Sequence, residues 1–182
     1  MHFFSQLFQF EHPWLHVSHG IWYKYPNPYC AHVASVDVLD RSVNPETGVV
    51  RTERIIGVRQ NAPAWVIKIL GCTPDTYVRE VSFVDPVTRH TSLTTVNLSM
   101  SQYLTVLERI HYLPSADKPD TTEFHQTAEI QAARGTWRAL AERLERWSVE
   151  RISQNAQAGR EGFEHVLRTF QTPSQAIEAS AA

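Results

Sequence analysis

The sequence predicts an α+β fold in which a curved antiparallel sheet of about seven strands wraps one long C-terminal helix. Alternation of apolar and polar residues recurs through most of the chain between residues 32 and 131, as expected for strands with one buried face. From Gly135 to about Phe170 there is no proline, and the apolar spacing is helical. The order of strand, short helix, many strands and long helix favours a single sheet gripping that last helix.

The N-terminal segment predicts a strand followed by a short amphipathic helix. An apolar run at the start of the chain is followed by "EHPWLHVSHGIWYK", in which Pro13 suits the first turn of a helix. Apolar residues recur there at helical spacing, at Trp14, Val17 and Ile21. Pro26 and Pro28 prevent the helix from continuing beyond this segment.

Two alternating runs, residues 32–42 and 49–60, predict a β-hairpin. The connecting "NPETG" supplies the proline and glycine of a tight turn. The following segment, "QNAPAWVIKILGCTPD", predicts a helix of about two turns that starts at Pro63 and ends at Gly71. This helix is an insertion between two strands.

The rest of the chain completes the sheet and ends in the long helix. Further strands are predicted at "TYVREVSFV", "TSLTTVNLSM", "YLTVLERIHYL" and "TTEFHQTAEIQ". Leu140, Leu144 and Trp147 then follow helical spacing. We expect one domain over residues 1–172 and a loose C-terminal tail over residues 173–182.

Composition bounds the function without naming it. The chain has 182 residues, 42% hydrophobic content and a net charge of -2, which fits one globular domain with no global basic field for nucleic acid. Its apolar stretches are shorter than the ~18 residues of a membrane span, and no cleavable targeting segment is legible. Cys30 and Cys72 lack metal spacing, so two ordinary thiols are favoured and a single bridge stays open.

Three cationic residues are predicted to lie on apolar faces. Lys24 lies on the same side of the first predicted helix as Ile21. Arg54 shares the more apolar face of its strand with Ile56, and Arg151 falls on the apolar stripe of the long helix. A single such residue is most often explained by a long side chain that covers apolar surface and returns its charge to water. Three together call for anionic partners, because an unpaired buried charge costs several kcal/mol.

Two kinds of anionic partner remain open for these cations. The chain offers internal carboxylates at Asp37, Glu53, Glu80 and Glu150. The other candidate is an anionic ligand, and the forked donors of arginine match the oxygens of a phosphate group.

The histidines and the motif content favour neither a metal site nor catalysis. His12, His16 and His19 have the spacing of one helical face, which predicts either a metal site or, as the favoured interpretation, a solvated face opposite the apolar residues. His111 and Glu108 are an odd number of residues apart on one strand, so they are expected on opposite sides of the sheet. No familiar catalytic or phosphate-binding motif occurs.

Several segments together resemble the PRELI domain family. They are "KYPNPYCAHVASVDVLDR", "RTERII", "YVREVSFVDP", "VNLSM" and "WSVERISQNAQAGREGFEHVL", and the resemblance runs from about Phe4 to Phe170. The segments are more similar to the slowmo branch, which is associated with phosphatidylserine transfer, than to the branch associated with phosphatidic acid. The resemblance implies a helix-grip-like lipid cavity with a mobile lid loop, residence in the mitochondrial intermembrane space, and a small helical partner protein with twin Cys-x9-Cys motifs.

The resemblance also implies which residues meet the lipid. Lys24, Arg54 and Arg151 match the family positions that receive the lipid phosphate or its entry, and Asn155 is a further candidate for the headgroup. The lid loop lies between Gly57 and Gly71. Its candidate residues are Arg59, Pro63, Trp65, Ile67, Lys68, Ile69 and Leu70. Because lids of phosphatidic acid carriers tend to hold lysines and this one is mostly apolar, phosphatidylserine is the expected cargo.

These inferences lead to one main functional hypothesis and two alternatives. The main hypothesis is a non-enzymatic carrier of phosphatidylserine between the mitochondrial outer and inner membranes, without cofactor, metal or nucleic acid, that touches membranes transiently at their surface. Leaving about thirty methylenes of two acyl chains in water would cost ~25 kcal/mol, so such a carrier must enclose them. The alternatives are a phosphatidic acid carrier of the same family and a protein-interaction module that binds no lipid.

Overall fold

A computed structural model describes residues 1–59, 63–70 and 75–169, and over these residues the α+β prediction is confirmed. The strands are β1 (His2–Phe10), β2 (Val33–Val43), β3 (Val50–Arg59), β4 (Asp75–Asp85), β5 (His90–Asn97), β6 (Leu104–Pro114) and β7 (Thr122–Ala132). The helices are α1 (Trp14–Gly20), α2 (Ala64–Leu70) and α3 (Arg138–Thr169), with a 3-10 turn at Pro28–Cys30. The strands form one antiparallel sheet in the order β1-β7-β6-β5-β4-β3-β2.

The sheet is a meander closed at one edge by the N-terminal strand. Strands β2 to β7 pair with their neighbours in sequence, and β1 pairs with β7 from His2 opposite Ile130 to Phe10 opposite Thr122. The predicted hairpin turn is confirmed. There Gly48 adopts a positive φ of 73°, which a glycine tolerates without strain.

Helix α3 packs across the inner face of the sheet and divides the core into two clusters. The first surrounds Phe163 and includes aromatic residues of β1, β6 and β7, with the rings of Phe10 and Phe163 edge to face at 5.3 Å. The second surrounds Leu144 and includes Leu104 and Ile130. Aromatic and aliphatic side chains thus hold the helix against the sheet at two places along its length.

Helix α1 is shorter than the sequence predicted, so the placement of Lys24 on this helix is wrong. The helix ends at Gly20, and the N–H of Tyr23 donates to the carbonyl of Gly20 in a tightened final turn. Gly20 lies against α3, where a Cβ atom would come within 2.6 Å of the Leu167 side chain. Lys24 therefore lies in the loop that follows the helix.

The predicted solvated histidine face of α1 is wrong for His16. This side chain is buried, and its Nε2 lies 2.7 Å from the carbonyl oxygen of Leu167 on α3. His12 is partly covered and lies 3.4 Å from Glu164, whereas His19 is exposed. A helical wheel places these residues opposite the apolar stripe, but it does not reveal that α3 covers this side as well.

Helix α2 confirms the predicted insertion between β3 and β4. Val66 is fully buried in the second cluster, beside Leu104 and Leu144. The end predicted for this helix at Gly71, the second cysteine Cys72 and the tail 173–182 lie outside the described residues. Within the described ranges, no helix is long and apolar enough to cross a membrane.

Candidate functional site

A cavity of about 260 Å³ lies between the inner face of the sheet and α3. Both core clusters contribute to its wall: Phe10, Phe124 and Phe163 belong to the first, and Leu104 belongs to the second. Charged and polar side chains from five different elements share this wall with the apolar ones. The cavity is therefore amphiphilic.

A row of polar residues crosses the inner face of the sheet. Strand register places Arg54 opposite Glu80, Glu80 opposite Thr95, and Thr95 opposite Glu108. Directly paired residues of antiparallel strands project to the same face, so the four side chains form a continuous line. Glu80, Thr95 and Glu108 line the cavity.

Arg54, predicted to receive a lipid phosphate, is separated from the cavity by Glu80. Its side chain is 6% exposed, and its Nε donates to Glu80 Oε1 at 2.6 Å. Arg54 itself is not part of the cavity lining, whereas Glu80 is. The structure thus supplies the internal carboxylate that the sequence left open for Arg54. The role of Arg54 toward a headgroup stays a prediction.

Lys24 faces the cavity from the loop after α1. Its Nζ lies 5.4 Å from the ring centre of Tyr25 and 5.6 Å from that of Phe163, and it forms no ion pair with any described residue. Burial alone would lower the pKa of Lys24, but the hydroxyls of Tyr25 and Tyr112 and the Glu80 carboxylate offset this effect and hold the pKa above its ordinary value. The ammonium is therefore charged at neutral pH.

The loop that carries Lys24 is fixed against α3. Asn27 Oδ1 accepts hydrogen bonds from the N–H groups of Tyr29 and Cys30, both at 3.0 Å. A Cβ atom at Gly162 of α3 would come within 2.5 Å of this Asn27 oxygen, so the glycine permits the close approach. The "YPNP" segment thereby holds its lysine over the cavity.

Arg151 and Asn155 lie one turn apart on α3, and both line the cavity. Each is half-buried. His32, another lining residue, has its pKa lowered by burial and by the charges of Arg151 and Lys24. The structure therefore brings Lys24, Arg151 and Asn155 to the wall of one cavity, which His32 also lines, and their role toward a headgroup stays a prediction.

Sequence reasoning missed a carboxyl group in this wall. Glu108 lines the cavity, and Gln126 Nε2 donates a hydrogen bond to its Oε1. Gln6 in turn donates to the amide oxygen of Gln126. Burial raises the pKa of Glu108, and the Gln126 hydrogen bond and the Lys24 charge lower it only in part. The sequence did contain a signal for this residue: Glu108 is two residues from the inward-facing Ile110 on the same strand, so both side chains project to the same face of the sheet.

The lid loop is only partly described. Val66 is buried in the core, and the Trp65 ring lies 4.0 Å below the Arg143 guanidinium. Ile67 is 42% exposed, and Lys68 is exposed. Arg59, at the end of β3, forms an exposed ion pair with Asp75 at 3.0 Å, and Pro63 precedes α2. The side chains of Ile69 and Leu70 lie outside the described residues. None of the described candidate lid side chains, Arg59, Pro63, Trp65, Ile67 and Lys68, lines the cavity, although their neighbour Val58 does.

The described part of the chain holds no cluster of metal ligands, and one pair considered for acid–base work is separated by the sheet. No group of three or more His, Cys, Asp or Glu side chains there could hold a metal ion. His111 bonds to His90 at 2.9 Å, whereas Glu108 points into the cavity on the other face. The prediction that His111 and Glu108 lie on opposite sides of the sheet is therefore confirmed.

Comparison with known structures shows the fold. An aromatase/cyclase from Streptomyces sp. R1128 superposes with a TM-score of 0.62 at 9% identity, covering 92% of this chain and 93% of that one. A START superfamily protein from Mycobacterium smegmatis superposes with a TM-score of 0.50 at 11% identity, covering 91% and 99%. Both support the helix-grip-like arrangement of one curved sheet around a long helix.

Comparison of sequences shows the family. The chain is 40% identical over 171 residues to Protein UPS2, mitochondrial, of Saccharomyces cerevisiae, covering 93% of this chain and 74% of that protein. It is 39% identical over 187 residues to a UPS-like protein of Schizosaccharomyces pombe, covering 100% of both. The slowmo homolog of Dictyostelium discoideum is 29% identical over 94% of this chain and 73% of its own length. The PRELI-like family model matches residues 16–173, and the chain belongs to the PRELI-like family.

Proposed function

We propose that this protein is a non-enzymatic carrier that moves phosphatidylserine between the outer and inner mitochondrial membranes. Membership of the PRELI-like family and similarity to a yeast relative named as mitochondrial support a general lipid-transfer role in mitochondria. The serine headgroup and the intermembrane space are the finer parts of the proposal.

The observation that carries the proposal is the amphiphilic cavity. Its apolar wall includes Phe10, Phe124 and Phe163, and its polar wall includes Lys24 and Arg151. A phospholipid combines the same two kinds of surface in one molecule. Since each methylene exposed to water costs ~0.8 kcal/mol, an apolar wall of this kind favours the acyl chains strongly over solvent.

The size of the cavity implies movement during loading. Its volume of about 260 Å³ lies below the ~300–1,000 Å³ typical of ligand pockets. Two acyl chains therefore require it to widen. Helix α2 is the element we expect to move, because its main anchor in the described core is the single fully buried side chain of Val66.

The exposed side of α2 also fits a transient contact with a membrane surface. Ile67 and Lys68 project from it, an apolar and a cationic side chain side by side. Such a pair suits the boundary between lipid headgroups and acyl chains. We expect a peripheral contact that lasts only while lipid enters or leaves.

The partner in this proposal is the small helical protein with twin Cys-x9-Cys motifs, bound as a heterodimer. The proposal includes no cofactor and no nucleic acid, and the bound phospholipid is cargo.

Lipid transfer between liposomes tests the proposal. The protein, co-expressed with the partner, is given donor vesicles with fluorescent phosphatidylserine or phosphatidic acid. We expect faster transfer of phosphatidylserine, and we expect Lys24→Ala to slow it while Arg109→Ala leaves it unchanged, because Arg109 pairs with Glu129 outside the cavity. Preferred transfer of phosphatidic acid would identify a carrier of the other branch. Transfer of neither lipid by folded, partner-bound protein would leave an interaction module.

A further inference from the structure

A carboxyl group and an ammonium group face the same cavity without neutralising each other. Glu108 and Lys24 both line it; burial raises the pKa of Glu108, and the Lys24 charge lowers that pKa only in part. Even so, the Lys24 ammonium forms no ion pair with a carboxylate of any described residue. The space between the two groups is therefore complementary to a ligand part that carries both a negative and a positive charge.

The Glu108 carboxyl is held in a fixed orientation. The amide of Gln126 is buried and donates to Glu108 Oε1, and Gln6 orients that amide by donating to its oxygen. Glu108 Oε2 forms no hydrogen bond with a described residue. One oxygen is thus positioned by the protein, and the other is left for a donor that enters the cavity.

A buried hydroxyl group lines the same cavity. Tyr112 is 1% exposed and lies on the same face of β6 as Glu108, four residues further along the strand. Its hydroxyl forms no hydrogen bond with any described residue and is open to the cavity, since it is not one of the fully buried polar atoms without a partner. This is a second polar group that points to a ligand with hydrogen-bonding groups.

We propose that Glu108, oriented by Gln126, accepts the ammonium group of an aminophospholipid headgroup while Lys24 faces its acidic groups. The inference rests on the proposed function, because it assigns a headgroup class to the proposed cargo. It gives a physical reason for discrimination: phosphatidic acid has no cation to offer Glu108, and its phosphate would be repelled by the carboxylate. Glu108 is then the residue that decides between the two lipids.

A cargo analogue tests this without changing the protein. The wild-type protein with its partner is given phosphatidylserine or a synthetic lipid with a 3-hydroxypropionate headgroup, which keeps the phosphodiester and the carboxylate and lacks only the ammonium. We expect transfer of the analogue to be slower by about tenfold or more, the scale of one charge-assisted hydrogen bond. Equal transfer of the two lipids would overturn the proposal.

A matched pair of variants tests the residue itself. Glu108→Gln keeps the shape and removes the charge, and Glu129→Gln makes the same change on the outer face of β7. We expect Glu108→Gln to lower the ratio of phosphatidylserine to phosphatidic acid transfer by about tenfold or more. We expect Glu129→Gln to leave the ratio unchanged. A ratio equally unchanged in both variants would overturn the assignment of Glu108.

The two levels of the proposal fail in different ways. Absence of transfer of any lipid by the wild-type protein contradicts the proposed function. Transfer of phosphatidylserine that does not depend on the ammonium or on Glu108 contradicts only the headgroup inference. Retained transfer of phosphatidic acid by Glu108→Gln shows that this variant is folded and loads lipid.

Discussion

The buried ion pair of Arg54 and Glu80 gives a prediction whose size can be worked out from the structure. The two side chains are 6% and 9% exposed, and their Nε–Oε1 distance is 2.6 Å. Substitution Arg54→Met removes one charge and leaves the other buried, which typically costs ~3–5 kcal/mol. Because Glu80 also borders the cavity and can be hydrated from it, we expect the lower end, about 3 kcal/mol. For a chain of this size that lowers Tm by about 6–12 °C.

The assay is a double-mutant cycle measured by urea unfolding. Arg54→Met and Glu80→Met are each expected to be destabilising, and the double variant is expected to recover most of the loss, because neither charge is then left unpaired. Arg109→Met is the matched control. Its ion pair with Glu129 has the same 2.6 Å distance, but the side chains are 43% and 36% exposed, so its loss costs only ~0–1 kcal/mol. If Arg54→Met costs no more than Arg109→Met, the reasoning is refuted.

This prediction changes how transfer data on Arg54 are interpreted. Arg54→Glu would place two carboxylates together in a buried position, so a loss of transfer could arise from unfolding alone. Transfer rates of Arg54 variants therefore have to be compared per folded molecule. Lys24 is the cleaner probe of the headgroup, since it forms no ion pair with a described residue that its removal would break.

Three further predictions concern the cavity and α2. Lys24→Ala is expected to slow phosphatidylserine transfer in the liposome assay by about tenfold or more, with little change in the urea midpoint, because it removes a charge that faces cargo. Burial raises the pKa of Glu108 in the folded state, so ionisation of this carboxyl destabilises the fold as pH rises above the ordinary glutamate pKa of about 4.3. Glu108→Gln should therefore gain stability relative to wild type in urea unfolding as the pH is raised from about 4, and a difference that does not change with pH would count against the burial of this carboxyl. Val66→Ala should lower the free energy of unfolding by about 2 kcal/mol in the same assay, because Val66 is fully buried. Ile67→Ala should leave the free energy of unfolding almost unchanged but slow lipid transfer, because Ile67 is exposed on α2. Equal losses of stability in the two variants would contradict the packing of α2.

Most of the fold could be predicted because its elements carry local signals. The inner strands alternate over part of their length, and α3 keeps helical spacing over 32 residues, so both follow from periodicity. The end of α1 could not be found in this way, since Lys24 continues the apolar wheel although the chain has already left the helix. The burial of His16 likewise depends on a contact with Leu167, which lies 151 residues away in sequence.

The candidate site was predictable only in part. Asking which charged residues share an apolar face identified Arg151 on its helix, whereas it placed Lys24 on a helical face that this residue does not occupy; the structure nevertheless brings both to one cavity. The same question asked of acidic residues identifies Glu108, because it lies two residues from the apolar Ile110 and so on the same face of its strand. The pairing of Arg54 with Glu80 was out of reach, because the insertion between β3 and β4 leaves their register undetermined by sequence.

Native mass spectrometry of the purified, partner-bound protein tests the central claim most directly. If the cavity holds a phospholipid, we expect a population heavier by the mass of one phospholipid, and gentle activation should release a lipid that fragments to a serine headgroup. A folded complex that shows only the mass of its two protein chains, even after incubation with phosphatidylserine vesicles, would contradict the account.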